Sequence, residues 1–183
     1  MKQVAAIATA AAAAMLLGCQ GDAQVTPARV TAAPIQGATP VDDAHATRVD
    51  RQVFGARPFY SMSLNMPNLN SAGGSWIIRF AELGPTGPRG DLVAPVATQK
   101  VDPGYPIELM RQNVAGNVTL RAVIRRDGTV GDVTVLNSVD DRLDDYARTA
   151  LSRWRFQAAT KNGNAVDLEA VVTIPFHTGR PGF

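Results

Sequence analysis

Four aspartates lie close together in the C-terminal third of the chain, and clustered carboxylates could bind a metal ion or act as a general acid and base. They are Asp140, Asp141, Asp144 and Asp145. An apolar pattern of helical period begins beside them, and aspartates at the start of a helix cap its free N–H groups and favour its dipole. We therefore interpret the four carboxylates as a helix cap and first turn rather than as a metal or catalytic site.

Histidine and cysteine, which metal sites and nucleophilic enzymes use most often, are scarce in this sequence. His45 and His177 are the two histidines, and Cys19 is the one cysteine. They form no motif with the spacing of a metal or nucleophile site. The glycine-rich residues 84–90 have no following helix pattern, so they do not predict a phosphate-binding loop. The sequence therefore predicts a protein that is not an enzyme and has no metal ion or cofactor.

Composition and charge are those of an ordinary globular protein. The chain has 183 residues, 45% hydrophobic content and a formal net charge of +2. Residues 99–177 contain ten basic and ten acidic side chains, so this part is neutral. A nucleic-acid surface would show clustered lysine and arginine with interleaved aromatic residues. The charge pattern excludes that class of partner.

The N-terminus is typical of a bacterial lipoprotein signal. Lys2 precedes a short apolar run at residues 4–17, which is shorter than the ~20 residues that span a bilayer. The run ends in Leu16-Leu17-Gly18-Cys19, which resembles the lipobox, and the resemblance implies that Cys19 is lipidated and that residues 1–18 are removed. An ordinary secretory signal with a chance cysteine is the alternative. Gln20 follows in place of the aspartate of an inner-membrane retention signal, which favours an anchor in the outer membrane.

The residues after the signal are predicted to form a tether and then a hairpin. Residues 19–50 contain few large apolar side chains, and we expect a disordered tether. Residues 60–66 and 76–81 each alternate apolar and polar side chains, which predicts a β-hairpin within a segment covering 51–98. A lone hairpin is marginally stable in water, so we expect it to pack on the C-terminal domain or to extend its sheet. Tyr60 to Met66 could instead form a methionine-rich binding stripe, but a strand face in the core is the favoured interpretation.

The C-terminal part follows the order strand, strand, helix, strand. Asp127-Gly128 predicts a tight turn between the first two strands, and a change of parity near Gly131-Asp132 predicts a bulge. One helical face carries apolar residues at Leu143, Tyr146, Ala147, Ala150, Leu151 and Trp154. The last strand alternates from Val166 to Phe176, and Pro175 places it at a sheet edge because proline has no N–H for a second neighbour.

Seven short motifs follow one another in the C-terminal part of the chain. They are Gly104-Tyr105-Pro106, Gly116-Asn117-Val118, Asp127-Gly128-Thr129-Val130, Leu143-Asp144, Trp154-Arg155-Phe156, Gly163 and Ile174-Pro175-Phe176. With these motifs, residues 99–177 resemble the C-terminal domain of the TonB family, with 178–183 as a tail. The resemblance implies an α+β, two-layer TonB C-terminal-like fold, preceded here by the extra hairpin. A conventional TonB also has a transmembrane helix with a histidine that works with ExbB and ExbD, and this sequence shows no such helix.

The resemblance implies a function in peptide binding. TonB-like domains add an extended peptide of a TonB-dependent outer-membrane receptor to their last strand, which here gives the candidate edge Asp167, Glu169, Val171, Val172, Thr173 and Ile174. The opening motif Gly104, Tyr105 and Pro106 would touch the same peptide or only stiffen the chain. Gly104 stands where the family often has glutamine, so that side-chain contact is missing. The alternative is a structural scaffold or oligomerisation module of the cell envelope, whose own hairpin covers the edge.

Overall fold

Apolar and polar residues alternate along the strands, so every second side chain is buried. The computed structural model describes residues 37–66, 75–84 and 92–178. The strands of these residues are β1 (Thr39–Pro40), β2 (Tyr60–Asn65), β3 (Ser75–Glu82), β4 (Leu92–Val93), β5 (Val96–Gln99), β6 (Gly116–Ile124), β7 (Val130–Asn137), β8 (Arg155–Gln157), β9 (Thr160–Lys161), β10 (Asn164–Ala165) and β11 (Leu168–Phe176). The helices are α1 (Arg48–Phe54), α2 (Ile107–Arg111) and α3 (Asp141–Ser152).

One antiparallel sheet of six strands forms the centre of the fold. Its order is β1-β2-β3-β11-β6-β7, so each of the two predicted hairpins lies on one side of the last strand. Two short sheets, β10-β9-β4 and β5-β8, connect the segments around it. The predicted α+β class is confirmed, and the hairpin extends the sheet of the C-terminal domain.

The main core lies between one face of this sheet and helices α2 and α3. β6 buries Val118, Leu120, Ala122 and Ile124, as its alternation predicts. The predicted helical stripe is also confirmed at most positions; its buried members are Leu143, Ala147, Ala150, Leu151 and Trp154. Tyr146 was predicted to belong to this stripe and is 45% exposed, because it lies at the margin of the helical face.

The start of α3 confirms the capping role of the aspartates. Asp140 is the N-cap, and its side chain accepts a hydrogen bond from the backbone N–H of Arg142 at 3.0 Å. Hydrogen bonding to the Arg142 side chain lowers the pKa of the Asp140 carboxyl below its ordinary value. Asp144 is buried in the first turn, while Asp145 pairs with Arg148 on the outer face. Asp141 also lies in the first turn, so the four carboxylates belong to the start of the helix and the turn that follows.

The opposite face of the sheet is partly covered by α1. Phe54 packs there with Phe59, Ala81 and Val171, and a capping box between Thr47 and Asp50 starts the helix. This second cluster buries Val171, which lies on the face of β11 opposite the main core. Residues 37–50 were predicted to be disordered tether, and the structure instead gives them β1 and the start of α1. Residues 19–36 lie outside the described residues.

The tight turn predicted between β6 and β7 is present, with a positive φ at Gly128 and not at Asp127. Gly128 has φ +80°, a left-handed conformation that glycine adopts at low cost, and Asp127 accepts a hydrogen bond from the N–H of Thr129 at 2.8 Å. A register shift opposite Arg121–Val123 and a φ of +51° at Asp132 confirm the predicted bulge. Gly128 also accepts at its carbonyl from the N–H of Phe156 at 2.9 Å, which joins the turn to β8.

Candidate functional site

β11, predicted to offer its edge to a peptide, lies in the middle of the six-stranded sheet. Its residues Leu168–Thr173 pair with β3 on one side, and Leu168–Phe176 pair with β6 on the other. The prediction that this strand lies at an edge is therefore wrong. Pairing with β3 ends at Thr173, two residues before Pro175, so the missing N–H of Pro175 costs no bond to β3.

The hairpin that covers β11 is firmly part of the core. The side chains of Trp76, Ile78 and Phe80 on β3 have no exposed surface. Burial of one such side chain stabilises a fold by about 1.5–3 kcal/mol, so release of β3 would expose all three at a large cost. The edge of β11 is therefore closed from Leu168 to Thr173 in the folded protein.

The side chains of the predicted edge are also engaged within the fold. Val172 and Ile174 are 1% and 0% exposed in the main core, and Val171 is buried beneath α1. Thr173 is half-buried beside Ile77 of β3 and Thr119 of β6. A residue that binds a peptide strand needs an unpaired main chain and an accessible side chain. In the folded state none of these four residues has both.

Glu169 is a buried carboxylate between two arginines. Its side chain is 5% exposed, and it accepts hydrogen bonds from Arg57 after α1 and from Arg121 of β6, the latter at 2.6 Å to Nε. Burial raises the pKa of Glu169, but the hydrogen bonds from Arg57 and Arg121 outweigh it, so the pKa lies below its ordinary value. This group ties the α1 segment to the sheet, a role that alternation alone did not reveal.

Asp167 lies directly before β11 and fixes the N-terminal end of this strand. Its carboxylate accepts from the backbone N–H of Arg126 at 2.8 Å and pairs with the guanidinium of the same residue at 3.0 Å. These hydrogen bonds lower the pKa of Asp167. Its carbonyl accepts from the N–H of Leu83 at 3.0 Å, which continues the contact with the end of β3.

The predicted entry motif, Gly104-Tyr105-Pro106, leads into α2. Tyr105 has a structural role. Tyr105 is 8% exposed, donates its hydroxyl hydrogen bond to the carbonyl of Val114, and meets the ring of Phe176 edge-on with centroids 5.4 Å apart. Burial raises the pKa of the Tyr105 hydroxyl. Gly104 lies against Tyr146 at the side of a shallow groove of about 320 Å³ on the outer surface of α3.

In the six-stranded sheet, the main-chain groups that no described strand pairs with lie at its two ends. At one end β1 pairs with Tyr60 and Ser61 alone, and no described strand pairs with Met62–Asn65 on that side. At the other end lies β7, whose pairing with β6 is interrupted by two register shifts. Bulges of this kind protect an edge from strand addition. The straighter of the two edges is therefore β2.

The predicted lipidation residue Cys19 lies outside the described residues. His45 pairs with Asp42 at the surface near α1, and His177 directly follows β11. Among residues 37–66, 75–84 and 92–178, no helix is both long and apolar enough to cross a membrane.

Residues 101–178 match the family model of the Gram-negative bacterial TonB protein C-terminal. The Protein TonB of Pseudomonas aeruginosa (strain PAO1) is 33% identical to the chain over 91 residues, which cover 48% of this chain and 27% of that protein. The chain therefore spans about a quarter of the length of this relative. A solution NMR structure of the Pseudomonas aeruginosa TonB CTD is similar at 23% identity and a TM-score of 0.43, covering 57% of this chain and 97% of that one.

Proposed function

From the match of residues 101–178 to the family model of the TonB protein C-terminal, we propose that this chain is a non-enzymatic protein of the bacterial envelope that binds an extended segment of another envelope protein. The family match is the observation that carries the proposal. The partner that the resemblance favours is a TonB-dependent outer-membrane receptor. Binding occurs by strand addition, in which main-chain hydrogen bonds supply affinity and alternate side chains supply specificity.

The place of binding differs from the one that the sequence suggests. Capture at residues 167–174 requires β3 to leave β11, which exposes Trp76, Ile78 and Phe80. A short peptide offers too few apolar side chains to replace that burial. The proposed capture therefore uses an edge of the completed sheet, and β11 takes part only if the hairpin is displaced.

The chain reaches its partner from a lipid anchor. The lipobox at Leu16–Cys19 supports lipidation at Cys19, with the outer membrane favoured by Gln20. In this proposal the protein faces the periplasm and does not work with ExbB and ExbD through a transmembrane histidine. A single lipid chain gives marginal binding, and the several chains of a lipoprotein anchor give stable attachment.

A second candidate function is a structural scaffold of the envelope. One specific observation favours it: β3 occupies the side of β11 that would otherwise accept a peptide. In that role the hairpin completes the sheet permanently, and the domain supports other envelope proteins through its surface or through a second copy.

Crosslinking in cells separates the two functions. A photoreactive amino acid is introduced singly at Ser63 of β2, at Thr134 of β7 and at Thr173 of β11, and adducts are identified by mass spectrometry. We expect receptor adducts from Ser63 and none from Thr173, whose strand is paired on both sides. Receptor adducts from Thr173 would mean that the hairpin opens. Adducts to this protein alone, or none at any position, would contradict peptide capture and favour the scaffold.

A further inference from the structure

The hairpin moves the open edge of this domain from β11 to β2. We propose that residues 62–65 of β2 are the acceptor for an extended peptide that has aliphatic residues at alternate positions and an acidic residue near the Asn65 end. This inference rests on the proposed function, since it names the acceptor and the chemistry of its partner.

The main chain of β2 has outward groups at every second residue. Thr39 Oγ1 donates to the carbonyl of Ser61 at 3.3 Å, which shows that this carbonyl points away from β3 toward β1. Main-chain groups in an antiparallel strand alternate in direction, so those of Ser63 and Asn65 point the same way. Within the described residues no strand occupies them.

β1 shows what kind of occupant the edge accepts. It is an extended segment that pairs antiparallel through Thr39 and Pro40 with the first two residues of β2. Gly37 has φ +85°, and the described pairing of this segment with β2 reaches no further than Ser61. Among the described residues, the edge thus carries one short added strand, and no strand pairs with the length beside it, Met62–Asn65.

The side chains around Met62–Asn65 define the peptide. Met62 and Leu64 are half-buried beside Ile78 and Trp76 of β3 and pack on the main core, so aliphatic side chains of an added strand would cover their remaining surface. Methionine adapts its shape to different partners. On the opposite face Ser63 is exposed beside Ile77, which is 39% exposed and accommodates small or β-branched residues.

Lys100 supplies the charge preference. Its ammonium donates to the carbonyl of Asn65 at 3.2 Å, at the end of Met62–Asn65. A peptide N–H that donates to the Asn65 carbonyl displaces the Lys100 ammonium from it. The freed ammonium is then placed to pair with a carboxylate of the peptide, which gives the preference for an acidic residue at that end.

The test uses the mature full-length protein and two synthetic peptides. One is a blocked seven-residue peptide with glutamate followed by alternating valine and threonine, and its twin has lysine in place of glutamate. Binding is measured by fluorescence anisotropy. We expect the wild type to prefer the glutamate peptide, Lys100→Glu to prefer the lysine peptide, and Ser63→Pro to bind roughly tenfold more weakly because an outward N–H is lost. Ser63→Ala keeps that N–H and should bind like the wild type.

The outcomes distinguish this inference from the proposed function. No binding of either peptide, or binding that Ser63→Pro leaves unchanged, overturns the assignment to β2, while receptor adducts in cells would still support capture at another edge. A dimer in sedimentation that Ser63→Pro abolishes would show that a second copy occupies the edge. A large gain in affinity on removal of residues 20–36 would show that the chain's own N-terminal segment occupies it.

Discussion

The indole rings of Trp76 and Trp154 stack face to face, with centroids 4.8 Å apart and planes 11° from parallel. Trp76 belongs to the hairpin, and Trp154 follows α3 in the family-matched domain. Both rings have no exposed surface. The contact makes the hairpin and the C-terminal domain parts of one core.

The two indoles should respond differently to replacement by phenylalanine. The Nε1 of Trp154 donates to the carbonyl of Val101 at 2.8 Å, whereas the buried Nε1 of Trp76 has no hydrogen-bond partner in the described structure. Trp154→Phe should lower the free energy of unfolding by about 1–3 kcal/mol more than Trp76→Phe, because it leaves Val101 unpaired, while Trp76→Phe removes an unsatisfied donor. Urea titration of both variants measures the difference, and equal losses would contradict the hydrogen-bond assignment.

Gly128 should tolerate no side chain. A Cβ at this position would lie 1.9 Å from the carbonyl oxygen of Phe156, and its φ of +80° adds strain. Gly163 has φ +81° but nothing within 4 Å, so it is a matched control for the backbone conformation alone. We expect Gly163→Ala to cost about 1 kcal/mol and Gly128→Ala to cost several kcal/mol in unfolding free energy. Thermal unfolding followed by circular dichroism would show the contrast, and similar midpoints would refute it.

Glu169 should contribute stability that depends on pH. Its pKa is lowered from 4.5 in the folded state, so its contribution is complete above that value and is lost as pH falls through the folded pKa. Glu169→Gln should reduce the free energy of unfolding at pH 7 by about 1.5–3 kcal/mol, since it weakens the hydrogen bonds from Arg57 and Arg121.

The same variant provides the pH test. The difference from the wild type should shrink as pH is lowered from 5 toward 3, in urea titrations at matched ionic strength. Arg148→Ala, which removes an exposed pair with Asp145, is the control and should change stability by less than about 0.5 kcal/mol throughout. A Glu169→Gln difference that does not vary with pH would contradict the ionised state.

Proline in the central strand should unfold the domain. Val171 pairs with Arg79 of β3 and Arg121 of β6, so its N–H is needed on one side or the other. Val171→Pro should cost about 3 kcal/mol or more. Far-ultraviolet circular dichroism and urea titration measure this, with Ser63→Pro on β2 as the control that should remain folded. If Val171→Pro folded with normal stability, β11 would lie at a sheet edge, as Pro175 had suggested.

Cys19→Ser should release the protein from the membrane fraction. Lipidation forms a thioether at the cysteine sulfur, and serine lacks this atom. Cell fractionation with a labelled fatty acid measures both attachment and modification. Label on the wild type and none on the variant is the expected result. An unlabelled wild type in the membrane fraction would contradict lipid anchoring.

Local sequence patterns predicted the parts of the fold that depend on a single periodicity. The alternation in β6 identified its buried face, and the parity change at Gly131-Asp132 identified the bulge. The helical spacing from Leu143 to Trp154 located α3 and most of its buried stripe. Each of these features depends on neighbours within one or two elements.

The order of strands could not be predicted in this way, and the candidate site changed with it. Pro175 indicates an unpaired main chain near the end of β11, but the length over which β3 pairs is set by residues far away in sequence. The burial of Glu169 and Val171 depends in turn on α1 and the residue Arg57 after it, and α1 begins inside the last residues of the predicted tether. The apolar residues of α1, Val49, Val53 and Phe54, were the available signal for that helix.

The strand at the centre of the sheet comes after both hairpins in the chain. As the polypeptide is synthesised, β2–β3 and β6–β7 therefore appear before the strand that joins them. Until that strand is present, each hairpin has an unpaired strand edge and an exposed apolar face. Partly folded chains with these features are prone to aggregation. Contacts between elements so distant in sequence also form slowly. The sheet therefore closes only after its last strand has been synthesised. Until then, the apolar faces of both hairpins are accessible to chaperones and proteases.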